Sequence, residues 1–452
     1  MRRHLTPARL LVLSFVALIA MGTAGLLWLP GLYTGEPLTA LDALFTATSA
    51  VCVTGLIVVD TATYFTAAGQ AFVLLLIQLG GLGILTFATL VILALGKRLS
   101  LHHEAVTADP ADVAPDIDFR QLVRNVVLFT LLFEGVGALL LFLAWLPRYP
   151  AGEAAWHALF QAVSAFCNAG FSTFSDSLTG FQGAPVTLVV VMVLIVVGGL
   201  GFLTLEELHL RWRRRGKGHS RLSLHSRLVL VTTAILLVGG WLACTTLEWG
   251  NTLAGMPSWE RVLNGLFMSV TARTAGFNTV DYTTTADSTN FVTVLLMSVG
   301  GSPGSTAGGF KTTTVAVIML LAFARLRGHR VTSAQHRTIP EETVQRAVGL
   351  FAVGFLVVTG AILLYSVLEL EPVGPEPAGQ FLPFMFEAVS AFNTVGLSMG
   401  ATEELERASK LLTVLLMYVG RVGPLTFASA IALKRPTLSG EFRFAYEDVI
   451  IG

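Results

Sequence analysis

Four short peptides hold the residues whose types and spacing could do chemistry: SAVCVTGL (49–56), SAFCNAGF (164–171), VTARTAGF (270–277) and SAFNTVGL (390–397). They align without gaps on Gly55, Gly170, Gly276 and Gly396. Glycine adopts positive φ at no steric cost, and so turns successive carbonyls to the same side. Four such peptides around one axis would gather backbone oxygens to replace the water shell of a cation. The expected ligands are the carbonyls of Val53, Thr54 and Gly55, of Asn168, Ala169 and Gly170, of Thr274, Ala275 and Gly276, and of Thr394, Val395 and Gly396. That chemistry is selective binding and passage of an ion rather than catalysis.

Each peptide follows a short semi-apolar segment: LDALFTATSAV, AAWHALFQAVSAF, VLNGLFMSVTA or FMFEAVSAF. As helices these reach roughly 14–20 Å, too little to cross about 30 Å of hydrocarbon, and they read as re-entrant half-helices. Longer apolar segments near 9–30, 70–96, 122–147, 185–207, 227–248, 290–323, 343–369 and 409–433 make eight expected spans. The unit is span, half-helix, glycine peptide, span. It occurs four times, with the glycines 115, 106 and 120 residues apart. A second echo follows each glycine: GGLG (80–83), GGLG (198–201), GGSPG (300–304) and GRVG (420–423). The GGLG sites read as packing points between helices. The first set does not, because non-helical backbone at membrane depth persists only when buried or lining a watery cavity. Half-helix C-termini aimed at such a cavity favour a cation.

The composition agrees with a polytopic membrane protein. Of 452 residues, 54% are hydrophobic and 13% charged, against about 25% charged in a soluble domain. Cys52, Cys167 and Cys244 sit in apolar surroundings and read as free thiols, neither a disulfide framework nor a zinc site. The N-terminal apolar run reads as a retained span, being longer than a signal core. The net charge of zero hides an asymmetry. Arg211, Arg213, Arg214, Arg215, Lys217, Arg221 and Arg227, with Arg325, Arg327, Arg330, Lys434 and Arg435, fall on one side, which the positive-inside rule makes cytoplasmic together with both termini. Asp60, Asp281, Glu403 and Glu404 are among the acids on the other, where they would concentrate cations at the mouth. The basic run orients the chain against lipid headgroups, or also docks a cytosolic regulator. The glycine clusters follow apolar spans rather than a strand of a βαβ unit, so no nucleotide or nucleic-acid site is expected here.

One span is interrupted. Between FVTVLLM and VAVIMLLAF lie Gly300, Gly301, Ser302, Pro303, Gly304, Ser305, Thr306, Ala307, Gly308 and Gly309, which cannot hold a helix. Lipid cannot satisfy such backbone, so the segment is expected in the cavity below the glycine peptides, as a flexible plug. Arg421 stands where two other units carry the second glycine of GGLG, inside an apolar span. A charge at that depth faces a cavity or a partner, so Arg421 is expected beside the loop. Lys311 is a weaker candidate that snorkels, and Glu134 reads as an interhelical polar contact.

The four units, with "MYVGRVGPLTF" (417–427) and the ending "FAYEDVIIG" (444–452), resemble the Trk/Ktr/HKT superfamily of potassium transporters, most closely its bacterial KtrB branch. The resemblance spans essentially the whole chain. It implies an all-α membrane protein of eight transmembrane helices around a pseudo-fourfold pore: repeats 1–97, 98–208, 209–325 with the gating loop 300–309, and 326–435, then a tail 436–452. It implies potassium uptake across the inner membrane through a selectivity filter, and no enzymatic activity. It implies a homodimer in contact through the tail, and a separate cytosolic KtrA-like ring that binds ATP or ADP, this chain holding no cofactor. Glycine in all four filter positions resembles the potassium-selective members, with sodium as a candidate second ion. Arg273 and Asn393 depart from the fourfold pattern, standing where the first two units have Cys52 and Cys167. A proton-linked Trk-type or less selective potassium/sodium transporter is the alternative. A coupled secondary transporter would show inverted repeats and paired breaks, whereas this chain is expected to have one broken span. A serine hydrolase at Ser302 or Ser305 would need a neighbouring base that the spans do not offer.

Overall fold

The computed structural model describes residues 7–94, 119–213, 222–335, 337–369, 381–424 and 426. The helices fall into four successive sets. The first is α1 (Pro7–Trp28), α2 (Ala40–Val51), the single turn α3 (Thr61–Tyr64) and α4 (Ala67–Ala94). The second is α5 (Phe119–Trp145), α6 (Ala151–Cys167), α7 (Pro185–Gly199) and α8 (Phe202–Arg213). The third is α9 (Leu224–Glu248), α10 (Ser258–Thr271), α11 (Asp287–Met297) and α12 (Thr312–Leu326). A two-residue hairpin, β1 (Ser333–Ala334) with β2 (Arg337–Thr338), leads to the fourth: α13 (Glu341–Leu368), α14 (Phe381–Phe392), the turn α15 (Ala401–Glu404) and α16 (Arg407–Val422).

The first helix of each set, α1, α5, α9 or α13, is long and apolar enough to cross a membrane. Its outward face is greasy: Leu131, Leu139, Leu356 and Leu363 are more than half exposed. Exposed apolar area on that scale has lipid as its solvent. The half-helices α2, α6, α10 and α14 lie inside, and eight of the last nine residues of α2, all but Leu44, are buried, mostly Ala, Ser and Thr. Small side chains let neighbouring backbones approach closely. The closest approaches use the first glycine of the second echo: a Cβ on Gly80, Gly198 or Gly420 would collide with the carbonyl of Val51, Phe166 or Phe392, at the end of the set's own half-helix.

The sets close into a ring. The helix after each glycine peptide packs on the half-helix of the next set: α4 on α6, α7 on α10, α11 on α14, and α16 back on α2. A partly buried ion pair, Lys410 to Asp42 at 3.1 Å, ties the fourth set to the first.

Two expectations need correction. The expected span 185–207 is not straight: α7 and α8 meet at 102°, so among the described residues two spans are broken rather than one. Gly201 turns the corner at φ +83°, and the loop at 300–306 occupies the space and the hydrogen bonds a continuous helix would use. The half-helix α6 has 17 residues, longer than expected, because Pro150 starts it earlier. The tail 436–452, with Phe442, Phe444, Tyr446, Val449 and Ile450, and most of the basic run at 214–221 lie outside the described residues.

Candidate functional site

The four glycine peptides share one backbone conformation. Gly55, Gly170, Gly276 and Gly396 have φ of +94°, +73°, +80° and +93°. Two residues earlier, Val53, Asn168, Thr274 and Thr394 are also left-handed, at φ +55°, +60°, +67° and +50°. Three of those are β-branched, for which this region is strained by on the order of 1–3 kcal/mol each. The half-helix compensates with hydrogen bonds. Ser49 Oγ accepts from Gly55 N and Ser390 Oγ accepts from Gly396 N, both at 3.1 Å. Ser164 Oγ donates to Phe171 O at 2.7 Å, and Thr271 Oγ1 to Phe277 O at 2.5 Å.

The peptides face one another in order. A Cβ on Gly55 would lie 2.5 Å from Ala169 O, one on Gly170 3.0 Å from Ala275 O, and one on Gly276 2.6 Å from Val395 O. A Cβ on Gly396 would strike Thr54 O, which closes the circle. All twelve residues of these triplets are therefore brought together, with room for backbone only at the glycine level. Thr274 and Thr394 hydroxyls are buried without a hydrogen-bond partner on the side facing the loop.

Above the ring lies a cavity of about 220 Å³, lined by all four glycines and by Asp60, Asp281 and Glu403. Asp60 caps α3 through Ala62 N at 3.0 Å and accepts from Ser175 Oγ at 2.6 Å, so it joins the first and second sets at the rim. Sequence reasoning passed over Glu387, a carboxylate 1% exposed within α14. It accepts from Ser398 Oγ, from Met399 N at 3.1 Å and from Thr402 Oγ1 at 2.5 Å, pinning the segment just beyond Gly396. A lone acid in the apolar run FMFEAVSAF was the available signal.

Below the ring lies the non-helical stretch between α11 and α12, which includes all of 300–309. Arg421 is 2% exposed; it donates through Nη1 to Thr306 O and through Nη2 to Gly80 O at 3.1 Å. Arg273 Nη2 donates to Gly300 O at 3.3 Å. Asn393 Oδ1 accepts from Phe310 N at 3.3 Å, and Thr306 Oγ1 donates to Phe166 O at 3.2 Å. Lys311 does not snorkel: its Nζ donates back to Ala307 O at 2.7 Å. Glycine is needed where the loop meets the ring, because a Cβ on Gly308 would strike the Thr394 hydroxyl and one on Gly309 the side chain of Asn393.

The departures from fourfold symmetry thus converge. Arg273 and Asn393 stand where the first two sets have cysteine, Arg421 stands where they have glycine, and all three bond the non-helical stretch between α11 and α12. Glu134 stands apart, accepting from Gln78 Nε2 at 3.2 Å with Cys167 Sγ at 3.9 Å, an interhelical contact as expected. Cys52, Cys167 and Cys244 are free and buried.

A family model described as TrkH, cation transport protein, matches residues 8–439. The potassium/sodium uptake protein NtpJ of Enterococcus hirae is 36% identical, covering 100% of this chain and 98% of that one. The Ktr system potassium uptake protein B of Bacillus subtilis is 37% identical over 94% of this chain and 93% of its own. That of Vibrio alginolyticus is 36% identical over 95% and 92%. Among solved structures, the potassium transporter TrkH from Vibrio parahaemolyticus superposes with a TM-score of 0.75, covering 93% of this chain and 84% of that one; at 17% identity the likeness is one of fold.

Proposed function

The chain belongs to the TrkH family of cation transport proteins, and from that membership we propose that it carries potassium ions into the cell as the membrane subunit of a Ktr-type uptake system. It is a multi-pass membrane transporter and not an enzyme. The observation that carries the reading is the closed circle of glycine peptides, each glycine against the carbonyl of the next. In this reading a hydrated ion collects in the acidic cavity, sheds water and passes on backbone oxygens of the triplets, which act as the selectivity filter. The loop 300–309 below is the gate. Arg421 latches it and repels cations while it is closed.

The finer points of the proposal rest on supporting features. The cytoplasmic side is that of Arg211, Arg213, Arg325 and Arg327, at the ends of α8 and α12, which puts both termini inside and the acidic cavity outside. The subunit works as a homodimer in the inner membrane, controlled by a cytosolic KtrA-like ring that binds ATP or ADP; the "Ktr system" in the relatives' names supports a multi-component assembly. The name of the Enterococcus hirae relative favours sodium as a second transported ion. Uptake of rubidium into proteoliposomes, with sodium as competitor, tests the reading. Saturable rubidium uptake that excess sodium leaves largely intact supports it; absence of uptake, with or without the cytosolic ring, overturns it.

A further inference from the structure

The tetrapeptide GGLG occurs twice, at 80–83 and 198–201. The first copy lies within the continuous helix α4, of 28 residues. At the second copy the chain turns 102° between α7 and α8. The same four residues therefore accept both conformations, and the break must be imposed from outside.

The loop imposes it. A continuous helix would join Phe202 N to Gly198 O. Instead Phe202 N donates to Gly304 O at 2.9 Å, and Gly198 O accepts from Thr306 N at 3.3 Å. The loop has taken both halves of that one missing helical bond. It also satisfies the next carbonyl, Gly199 O, through Ser302 N at 2.9 Å. Gly201 sits against Pro303 O, 2.5 Å from where a Cβ would be. Withdrawal of the loop leaves Phe202 N and Gly198 O without these partners, and the helical bond between them would satisfy both at once.

The geometry points to a two-state joint: α7 and α8 are bent while the loop is docked and become one helix when it withdraws. Loop movement then displaces the far end of α8, where Arg211, Arg213 and the exposed Trp212 lie. Conversely, a force on that end biases the loop. Glu207 is the positioning residue that holds the bent form. Its carboxylate accepts from Ser223 N at 2.6 Å, Ser223 Oγ at 2.7 Å and Ser226 Oγ, fixing α8 to the start of α9. That the loop moves at all rests on its reading as the gate; the coupling to α8 goes beyond that reading.

The test is a distance. Spin labels at Val186→Cys and Trp212→Cys, both exposed positions, are measured by double electron–electron resonance on the full chain in nanodiscs, with single-cysteine controls for the three buried native thiols. At 1.5 Å per residue the bent form spans about 25 Å and a continuous helix about 40 Å. The native loop should give the short distance, and removal of residues 303–307 should add a long one. Gly201→Ala, which disfavours positive φ and crowds Pro303 O, should do the same with the loop intact, and Glu207→Gln should increase its share. A short distance alone in both the deletion and Gly201→Ala overturns the joint. Faster ion flux in the deletion with an unchanged distance also overturns it while leaving the gate reading in place. Absence of ion flux altogether would overturn the gate reading, and the distances would still decide the joint.

Discussion

The guanidinium of Arg421 donates a hydrogen bond to the carbonyl of Thr306, in the loop beneath the glycine ring, and it reaches Gly80 O with its other nitrogen. One side chain thus ties the fourth set of helices to the loop of the third and to α4 of the first. Arg421→Ala removes both bonds and a buried positive charge, so ion flux without the cytosolic partner should rise several-fold. Removal of residues 303–307 should raise it further. The double variant should gain little over the deletion, since contacting elements are non-additive. Proteoliposome flux checks this; a fall in flux in the deletion would mean that the loop supports the ring and does not gate it.

Glu387→Ala strips three donors, Ser398 Oγ, Met399 N and Thr402 Oγ1, of their buried acceptor. The expected loss of stability is on the order of 3 kcal/mol, with Glu387→Gln intermediate because its carboxamide oxygen still accepts. Thermal unfolding in detergent reads this directly. A Tm unchanged in Glu387→Ala would show that the outer segment holds its shape without the carboxylate.

Repetition made the glycine peptides legible in the sequence. Gly55, Gly170, Gly276 and Gly396 announced themselves by register, and the structure sets them in one ring. The loop was legible because glycine, serine and proline cannot sustain a span. Arg421 was legible because a charge in an apolar helix demands a partner. The second left-handed residue was not: Val53, Thr274 and Thr394 are types that avoid positive φ, and tertiary hydrogen bonds override that preference. Nor was the α7–α8 corner, since the identical GGLG is helical in α4 and only a distant loop distinguishes the two copies. Lys311 misled because a lysine near a helix end usually reaches for water, whereas here it turns back to Ala307 O.

Assembly is tested at the C-terminus. If the subunit pairs through its tail as proposed, removal of residues 442–452, which takes away Phe442, Phe444, Tyr446, Val449 and Ile450, should loosen the pair in detergent. Size-exclusion elution and cross-linking report it; an unchanged elution volume and cross-linking pattern would contradict the proposed tail contact.

The central claim is that four backbone turns select the ion. Serine at any of the four glycines adds a Cβ against the next peptide's carbonyl and disfavours the positive φ that aims its own. The most direct measurement is therefore the potassium-to-sodium permeability ratio of Gly55→Ser, Gly170→Ser, Gly276→Ser and Gly396→Ser in reconstituted membranes. The account predicts that the ratio falls in each, while the loop deletion keeps it near that of the unmodified chain. A ratio untouched by all four substitutions would contradict it.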